Sequence, residues 1–356
     1  LLTNKAACLL ELGDFDTGLA VVERALTFDP DYMPAQLNQA NLLAVKGERE
    51  AAQQALELIE QRSPHALRFL RLQHLHQPPP ADSWPMPLDG DALWVRYYLR
   101  KFAQGDWQDY DTRVQAIVTA TETSITENRL PPLLPLEALT LPLPAALQVR
   151  VAQARVRALA QHSGQLTTHY EQALPQTPAE DGRLRIGYVC GDIRDHPTAQ
   201  LLRGVFTQHD RSRYAIHLYL LRPADNSRYA QDILAHCDAV MDCTTMGNTQ
   251  AAERIRNDEI HVLVDLHGYT QHGRAEIFAL RPAPVQVSYL AFPGSSGGLF
   301  WDYLIADTTV VPPEQQALYP EKLIYLPDSY QPNDNQQPIA STGRTPSELR
   351  RRIAHL

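Results

Sequence analysis

A helical superhelix, followed at about residue 183 by one Rossmann-like α/β domain, is the architecture that the sequence predicts. Three observations carry it. A helical pattern repeats with a fixed period at the N-terminus. Proline clusters then interrupt a long stretch of helical character. From Leu184 onward, short apolar strands alternate with helical stretches.

The repeat is explicit. Ala6, Leu9, Gly13, Asp16 and Pro30 recur as Ala40, Leu43, Gly47, Glu50 and Pro64, each 34 residues later. That is the tetratricopeptide period. One helix is expected through NKAACLLEL and a second through FDTGLAVVERALTF. Gly13 permits the turn between them, and Pro30 closes the unit. The second unit reads NQANLLAVK, Gly47 and EAAQQALELIE. Each hairpin must cover its neighbour's apolar face, so further repeats are expected upstream.

Residues 66–127 keep helical character without the strict period. HALRFLRLQHLH is a helix candidate, ended by PPPADSWPMP. A further helical pair is expected around Gly105, with Trp107 and Tyr110 packed between its helices. The prolines of ENRLPPLLPLEALTLPLP exclude a continuous helix until about residue 144. AALQVRVAQARVRALAQH then reads as one long linker helix, and TPAEDG as a polar joint.

In the α/β part the strand candidates are LRIGYVC, YAIHLYLL, AVMD, HVLVDLHG, VQVSYLAF and WDYLIAD. The helical stretches between most of them are TAQLLRGVF, SRYAQDILAH, TQAAERIRN and GRAEIFAL. This alternation predicts a parallel, doubly wound sheet. The domain division is 1–66 tetratricopeptide repeats, 67–130 degenerate helical repeats, 131–182 proline-rich linker and linker helix, 183–330 Rossmann-like domain, and 331–356 tail or interdomain segment.

Composition excludes several classes. A formal net charge of -9 argues against bulk attraction to nucleic acid or anionic lipid. No run of 18 apolar residues occurs, so no transmembrane helix and no membrane partner are expected. The N-terminus is not a signal peptide, and the missing starting Met fits a fragment. Cys8, Cys190, Cys237 and Cys243 form no C-x-x-C pair. Reduced structural cysteines and a cytoplasmic location follow, with no metal site.

In a doubly wound sheet, ligands meet the carboxyl ends of the strands. Three loops there carry candidate chemistry. GDIRDHPTAQ follows the first strand and holds Asp192, Asp195, His196, Pro197 and Thr198. Pro197 suits an early helical position, with free N–H groups beyond it. His196 is either a structural N-cap or a base, donor or phosphate contact. No G-x-G-x-x-G fingerprint is present, which disfavours a dinucleotide cofactor. DLHGYTQHGRAEIFALRPAP brings His267, Tyr269, Thr270, His272, Arg274 and Glu276, each taken singly a surface residue. His261, at the start of that strand, is expected to pack at its far end. AFPGSSGG offers tight turns whose N–H groups either line a sugar or phosphate or simply connect strands.

Repeats leading into LRIGYVCGDIRDHPT, then HVLVDLHGYTQHGRAEIFALRPAPVQVSYLAFPGSSG, resemble the protein O-linked N-acetylglucosamine transferases, glycosyltransferase family 41. The likeness is greatest to the bacterial homologues, and plant fucosyltransferase relatives share the scaffold. It spans essentially the whole chain, weakly over 66–150 and strongly over 183–330. The resemblance implies a GT-B fold, in which two Rossmann-like domains face each other across a cleft. It implies UDP-N-acetylglucosamine as donor, a protein Ser or Thr hydroxyl as acceptor, inversion at the anomeric carbon, and no metal or other cofactor. The repeats would bind the protein acceptor.

Carried over residue by residue, His196 is the histidine proposed as general base, although other mechanisms assign the proton to the donor phosphate or a water chain. Asp192 matches the aspartate four positions earlier. Pro197 and Thr198 match positions near acceptor and donor sugar. Leu290 and Ala291 align with a leucine–glycine pair beside the sugar, and Pro293 and Gly294 with the proline and glycine that follow. Ala291 departs from that pattern by one methyl, and Asp195 replaces a common asparagine. The histidine that the family's linker helix often carries has no counterpart in 150–160.

The family's second Rossmann domain, with its catalytic lysine and most nucleotide contacts, is not expected within these residues; either the chain is a fragment or that half lies in another chain. This chain by itself is therefore not expected to turn over. Two other readings compete: a noncatalytic repeat-based protein-binding module, and a GDP-sugar-dependent protein O-glycosyltransferase.

Overall fold

The computed structural model describes residues 2–62, 90–164, 175 and 177–337. Four helices open it: α1 (Leu2–Leu12), α2 (Phe15–Phe28), α3 (Met33–Lys46) and α4 (Arg49–Arg62). Gly13 (φ 80°) and Gly47 (φ 89°) sit in the α1–α2 and α3–α4 turns. Both adopt the left-handed backbone that glycine accepts at little cost. Asp14 caps α2 by accepting from the Thr17 amide at 3.3 Å. Gly18 lets α2 approach α3, since a Cβ there would lie 2.8 Å from a Leu42 methyl.

The next pair is α5 (Gly90–Ala103) and α6 (Tyr110–Thr126), which turns at Gly105 (φ 83°). Tyr110 packs edge-on against Phe102. Trp107 departs from expectation. Its ring stacks on Phe102 but stays 60% exposed, because it lies on the turn rather than between the helices. The proline stretch forms one short helix, α7 (Pro135–Leu139). The candidate helix at 65–76 lies outside the described residues.

The linker helix α8 (Ala145–Gly164) joins the two parts of the molecule. Leu147 and Val151 belong to the apolar core shared with α3 to α6. Two turns later, Val156 and Leu159 belong to the core beneath the sheet, with Leu263, Phe278 and Trp301.

The sheet has seven parallel strands: β1 (Leu184–Cys190), β2 (Tyr214–Leu220), β3 (Ala239–Asp242), β4 (Val262–Asp265), β5 (Val285–Ser288), β6 (Tyr303–Ala306) and β7 (Lys322–Tyr325). Their spatial order is β3-β2-β1-β4-β5-β6-β7. Helices α9 (Pro197–Gln208), α10 (Arg228–Ala235), α11 (Asn248–Asn257) and α12 (Ala275–Ala279) supply the crossovers, and a 3-10 turn, Pro313–Leu318, precedes β7. The last strand was not among the sequence candidates. Its four residues alternate exposed and half-buried at the sheet edge. The winding reverses between β1 and β4, which pair in parallel from Ile186 with Val262 to Val189 with Asp265. The loops after these two strands diverge and leave a crevice.

One glycine ties the loop after β5 to the linker helix. A Cβ on Gly297 (φ 89°) would lie 2.5 Å from the Ala152 carbonyl oxygen, whereas one on Gly13 meets nothing within 4 Å. Gly13→Ala is expected to cost only left-handed backbone strain, about 1–2 kcal/mol. Gly297→Ala adds overpacking, about 2–5 kcal/mol in all. Urea unfolding of the two variants, followed by tryptophan fluorescence, checks the order; equal losses would contradict the packing account.

Candidate functional site

The crevice is a cleft of about 570 Å³. Its walls come from the loops after β1, β2, β4 and β5 and from the segment beyond β7. Of the residues singled out from sequence, Asp192, His196, Pro197, Thr198, Leu290, Ala291 and Pro293 all line it. Gly294 does not. It lines a smaller adjoining cavity of about 20 Å³ with Phe292 and Tyr319.

The β1 loop is built from tight turns. The Arg194 amide donates to the Asp192 carbonyl at 2.9 Å, and the His196 amide to the Arg194 carbonyl at 2.7 Å. The Asp195 amide donates to Asp225, and the Asp195 carboxylate accepts from Gln200. That carboxylate is thus engaged with α9. His196 is the N-cap of α9, with Pro197 in its first turn, and its Nδ1 accepts from the Thr198 amide at 3.2 Å. The two sequence readings of His196 therefore coexist: it caps a helix, and it lines the cleft with a 43% exposed side chain.

Asp192 lies deeper. One carboxylate oxygen is 3.8 Å from His196 Nδ1 and 3.7 Å from His267 Nε2, and the other is 3.5 Å from the Arg222 guanidinium. An acceptor-only group thus faces the cleft among three nitrogen-bearing side chains.

The β4 loop is far more buried than a surface reading allows. His267 is 1% exposed, and burial pushes its imidazole pKa down to about 4. Arg274 is buried as a staple, donating to Asn248 Oδ1 and to the carbonyls of Cys243 and Met246. The Tyr269 hydroxyl donates to the Ser296 carbonyl. Only Thr270, Gln271 and His272 of this loop reach the cleft wall. The turn is held from behind by Asp265, whose carboxylate accepts from the amides of His267 and Gly268, both at 2.9 Å, and from Trp301 Nε1 at 3.1 Å. Burial raises the Asp265 pKa, and the three N–H donors oppose that rise. His261 packs at the opposite end of β4, with Nδ1 accepting from the Arg185 amide.

The β5 loop corrects one expectation. Three of the five N–H groups of GSSGG, those of Ser296, Gly297 and Gly298, are engaged and not open for a sugar or phosphate. Ser296 N and Gly298 N donate to the buried Glu321 carboxylate, Ser295 Oγ donates to it too, and Gly297 N donates to Ser295 Oγ. Nearer the cleft, Leu290 holds φ 75°, an uncommon conformation for a branched residue.

Arg222, Tyr330 and Gln331 also line the cleft and were not anticipated. Arg222 sits just past β2, a strand end where ligand contacts gather, so its position was a usable signal. Tyr330 is held by its amide on Asp307 and by the Tyr289 hydroxyl on its carbonyl, contacts that no local pattern reveals. Among the described residues, no group of three or more His, Cys, Asp or Glu is arranged to hold a metal ion. Among them too, no helix is long and apolar enough to cross a membrane.

The glycosyl transferase family 41 pattern matches residues 104–342, more than half of the chain. A UDP-N-acetylglucosamine–peptide N-acetylglucosaminyltransferase of Caenorhabditis elegans is 35% identical over 243 residues, covering 65% of this chain and 20% of that protein. A probable enzyme of the same name from Arabidopsis thaliana is 34% identical over 236 residues, covering 65% of this chain and 24% of its own length. A solved structure of a variant O-GlcNAc transferase from Thermobaculum terrenum aligns over 97% of this chain and 60% of its own, with 23% identity and a TM-score of 0.48. The protein is a glycosyltransferase-family protein, and the chain belongs to glycosyl transferase family 41. It spans about a fifth to a quarter of the length of these curated relatives.

The Asp265 clamp yields a direct test. Asp265→Asn leaves one oxygen for the two amides but turns an NH₂ toward the buried Trp301 N–H. One donor then loses its acceptor, at a cost of about 1–3 kcal/mol. A lowered thermal midpoint with altered Trp301 fluorescence is the expected result; an unchanged midpoint would remove the clamp from the account.

Proposed function

We propose that this chain is the N-terminal part of an inverting protein O-glycosyltransferase, which moves N-acetylglucosamine from UDP-N-acetylglucosamine to Ser or Thr hydroxyls. One observation carries the reading: the cleft where the winding reverses gathers Asp192, His196, Pro197, Thr198, Leu290, Ala291 and Pro293 from two separate loops. Family membership supplies the reaction class. In this reading the helices of residues 1–66 and 67–130 form tetratricopeptide-type repeats that present the acceptor protein. Residues 131–182 link them to a Rossmann-like domain at 183–330, and a second such domain of the full-length protein completes a GT-B cleft. That domain supplies most of the UDP contacts.

In the transfer, the acceptor oxygen forms a bond to the anomeric carbon as the bond to the UDP oxygen breaks. UDP departs with the electron pair, and the hydroxyl proton passes to a base. With Nδ1 accepting from the Thr198 amide, the neutral ring of His196 carries its proton on Nε2. In this tautomer it donates, which suits a phosphate or sugar oxygen. To act as a base through Nε2, the ring must carry its proton on Nδ1, directed toward Asp192 at 3.8 Å. Ala291 adds a methyl where the family pattern has glycine, so the donor sugar is a matter for direct test.

His196→Ala in the full-length protein is expected to lower the transfer rate by roughly 100-fold, with donor affinity and thermal midpoint little changed. Unchanged transfer removes His196 from the reaction, and an equal loss of fold returns it to helix capping alone. Calorimetry with UDP- and GDP-sugars tests the donor. Binding of the GDP-sugar alone favours the GDP reading, and binding of neither favours a noncatalytic module. Transfer is expected to persist in excess chelator; loss restored by a divalent ion would count against the metal-free reading.

A further inference from the structure

We infer that His267 is a positioning residue for this reaction: by accepting the Gly191 amide, it fixes the loop that carries Asp192 and His196 against the cleft. The inference rests on the glycosyl-transfer reading for its consequence, but not for its geometry. The ring does not line the cleft. It is buried behind the wall, between the loops after β1 and β4.

Both ring nitrogens are assigned by their partners. Gly191 N–H donates to Nε2 at 2.7 Å, so Nε2 carries no proton. Nδ1 therefore bears it, 3.0 Å from Thr270 Oγ1, whose own proton goes to the His267 carbonyl at 2.9 Å. The imidazole is held as one neutral tautomer, with each partner satisfied. The charged and titratable groups facing it are Asp192, which favours protonation, and His272, His196 and Arg222, which oppose it; burial opposes it most.

The seat is close. A Cβ on Gly191 would lie 3.1 Å from Nε2, so the ring rests directly on the backbone one residue before Asp192. Protonating Nε2 would set two donors against each other and release that amide. The β4 loop itself cannot yield, because Asp265 grips the His267 and Gly268 amides from behind. A displaced Gly191 moves Asp192 away from Arg222 and loosens the turn that delivers His196.

Two substitutions separate positioning from filling space. In His267→Gln the side-chain oxygen can occupy the place of Nε2 and accept from Gly191. In His267→Asn the shorter amide reaches only the place of Nδ1. Both are expected to fold, H267Q with a midpoint near that of the wild type and H267N with a somewhat lower one, because its buried Gly191 amide lacks an acceptor. In the full-length protein, H267N should lose about 100-fold in kcat, with a smaller change in KM for UDP-N-acetylglucosamine, while H267Q restores most of the rate. Equal rates in the two variants would overturn the inference. Nitrogen-15 NMR of this chain should give a neutral, Nδ1-protonated His267 at pH 6, and hydrogen exchange a Gly191 amide exposed in H267N but protected in H267Q. An Nε2-protonated or charged ring would overturn the inference as well. A wild type that transfers nothing from the UDP-sugar sinks the functional reading alone, and the NMR and exchange results then decide on His267.

Discussion

At the carboxyl end of β4 the Asp265 carboxylate, 3% exposed, accepts three N–H groups drawn from two loops. A buried carboxylate is costly unless its lone pairs are met, and here every donor is a rigid amide or indole. The geometry of the site descends from this arrangement. The two amides fix the turn that carries His267, and His267 in turn receives the Gly191 amide from the loop after β1. The indole fixes Trp301, whose ring packs with Phe278 and Tyr269 beneath the cleft. The two loops that diverge at the switch point are thus bound to one another through His267, whose turn a single acidic side chain holds.

A second carboxylate performs the same service at the junction of the helical and sheet parts. Glu321, 4% exposed, gathers the 295–298 loop around its oxygens. The loop then has no freedom to lift from α8, onto which Gly297 presses. Because α8 places Leu147 and Val151 in one core and Val156 and Leu159 in the other, this contact helps to join helices and sheet. Any function that couples the helical region to the cleft has a continuous packed route through α8.

Periodicity made most of the architecture legible. The 34-residue repeat located the turns at Gly13 and Gly47, and short apolar runs located six strands. The seventh strand, KLIY, was not identified, although the opposite edge strand AVMD is equally short and equally wetted and was. The His196 and Leu290 loops were legible as motifs. What a motif could not convey was which partner its atoms had already taken. The glycine-rich loop advertised free amides, yet Glu321, over twenty residues downstream, takes two of them. The polar density after β4 looked like ligand chemistry, yet Arg274 and His267 spend it on backbone groups. Long-range hydrogen bonding decides such matters, and it leaves no local signature.

The division of labour among the polar groups of the cleft follows from the same accounting. His267 and Arg274 have their hydrogen-bonding capacity consumed behind the wall, and the Asp195 carboxylate is turned to Gln200. Asp192 is different. Its three neighbouring nitrogens stand at 3.5 Å or more, too far to saturate its lone pairs. His196 is different as well, since capping α9 occupies one ring nitrogen and leaves the other. A carboxylate with spare acceptor capacity and an imidazole with one spare nitrogen, held four residues apart by a proline-led helix start, form a pair that can exchange hydrogen bonds with an incoming hydroxyl without any rearrangement of the scaffold.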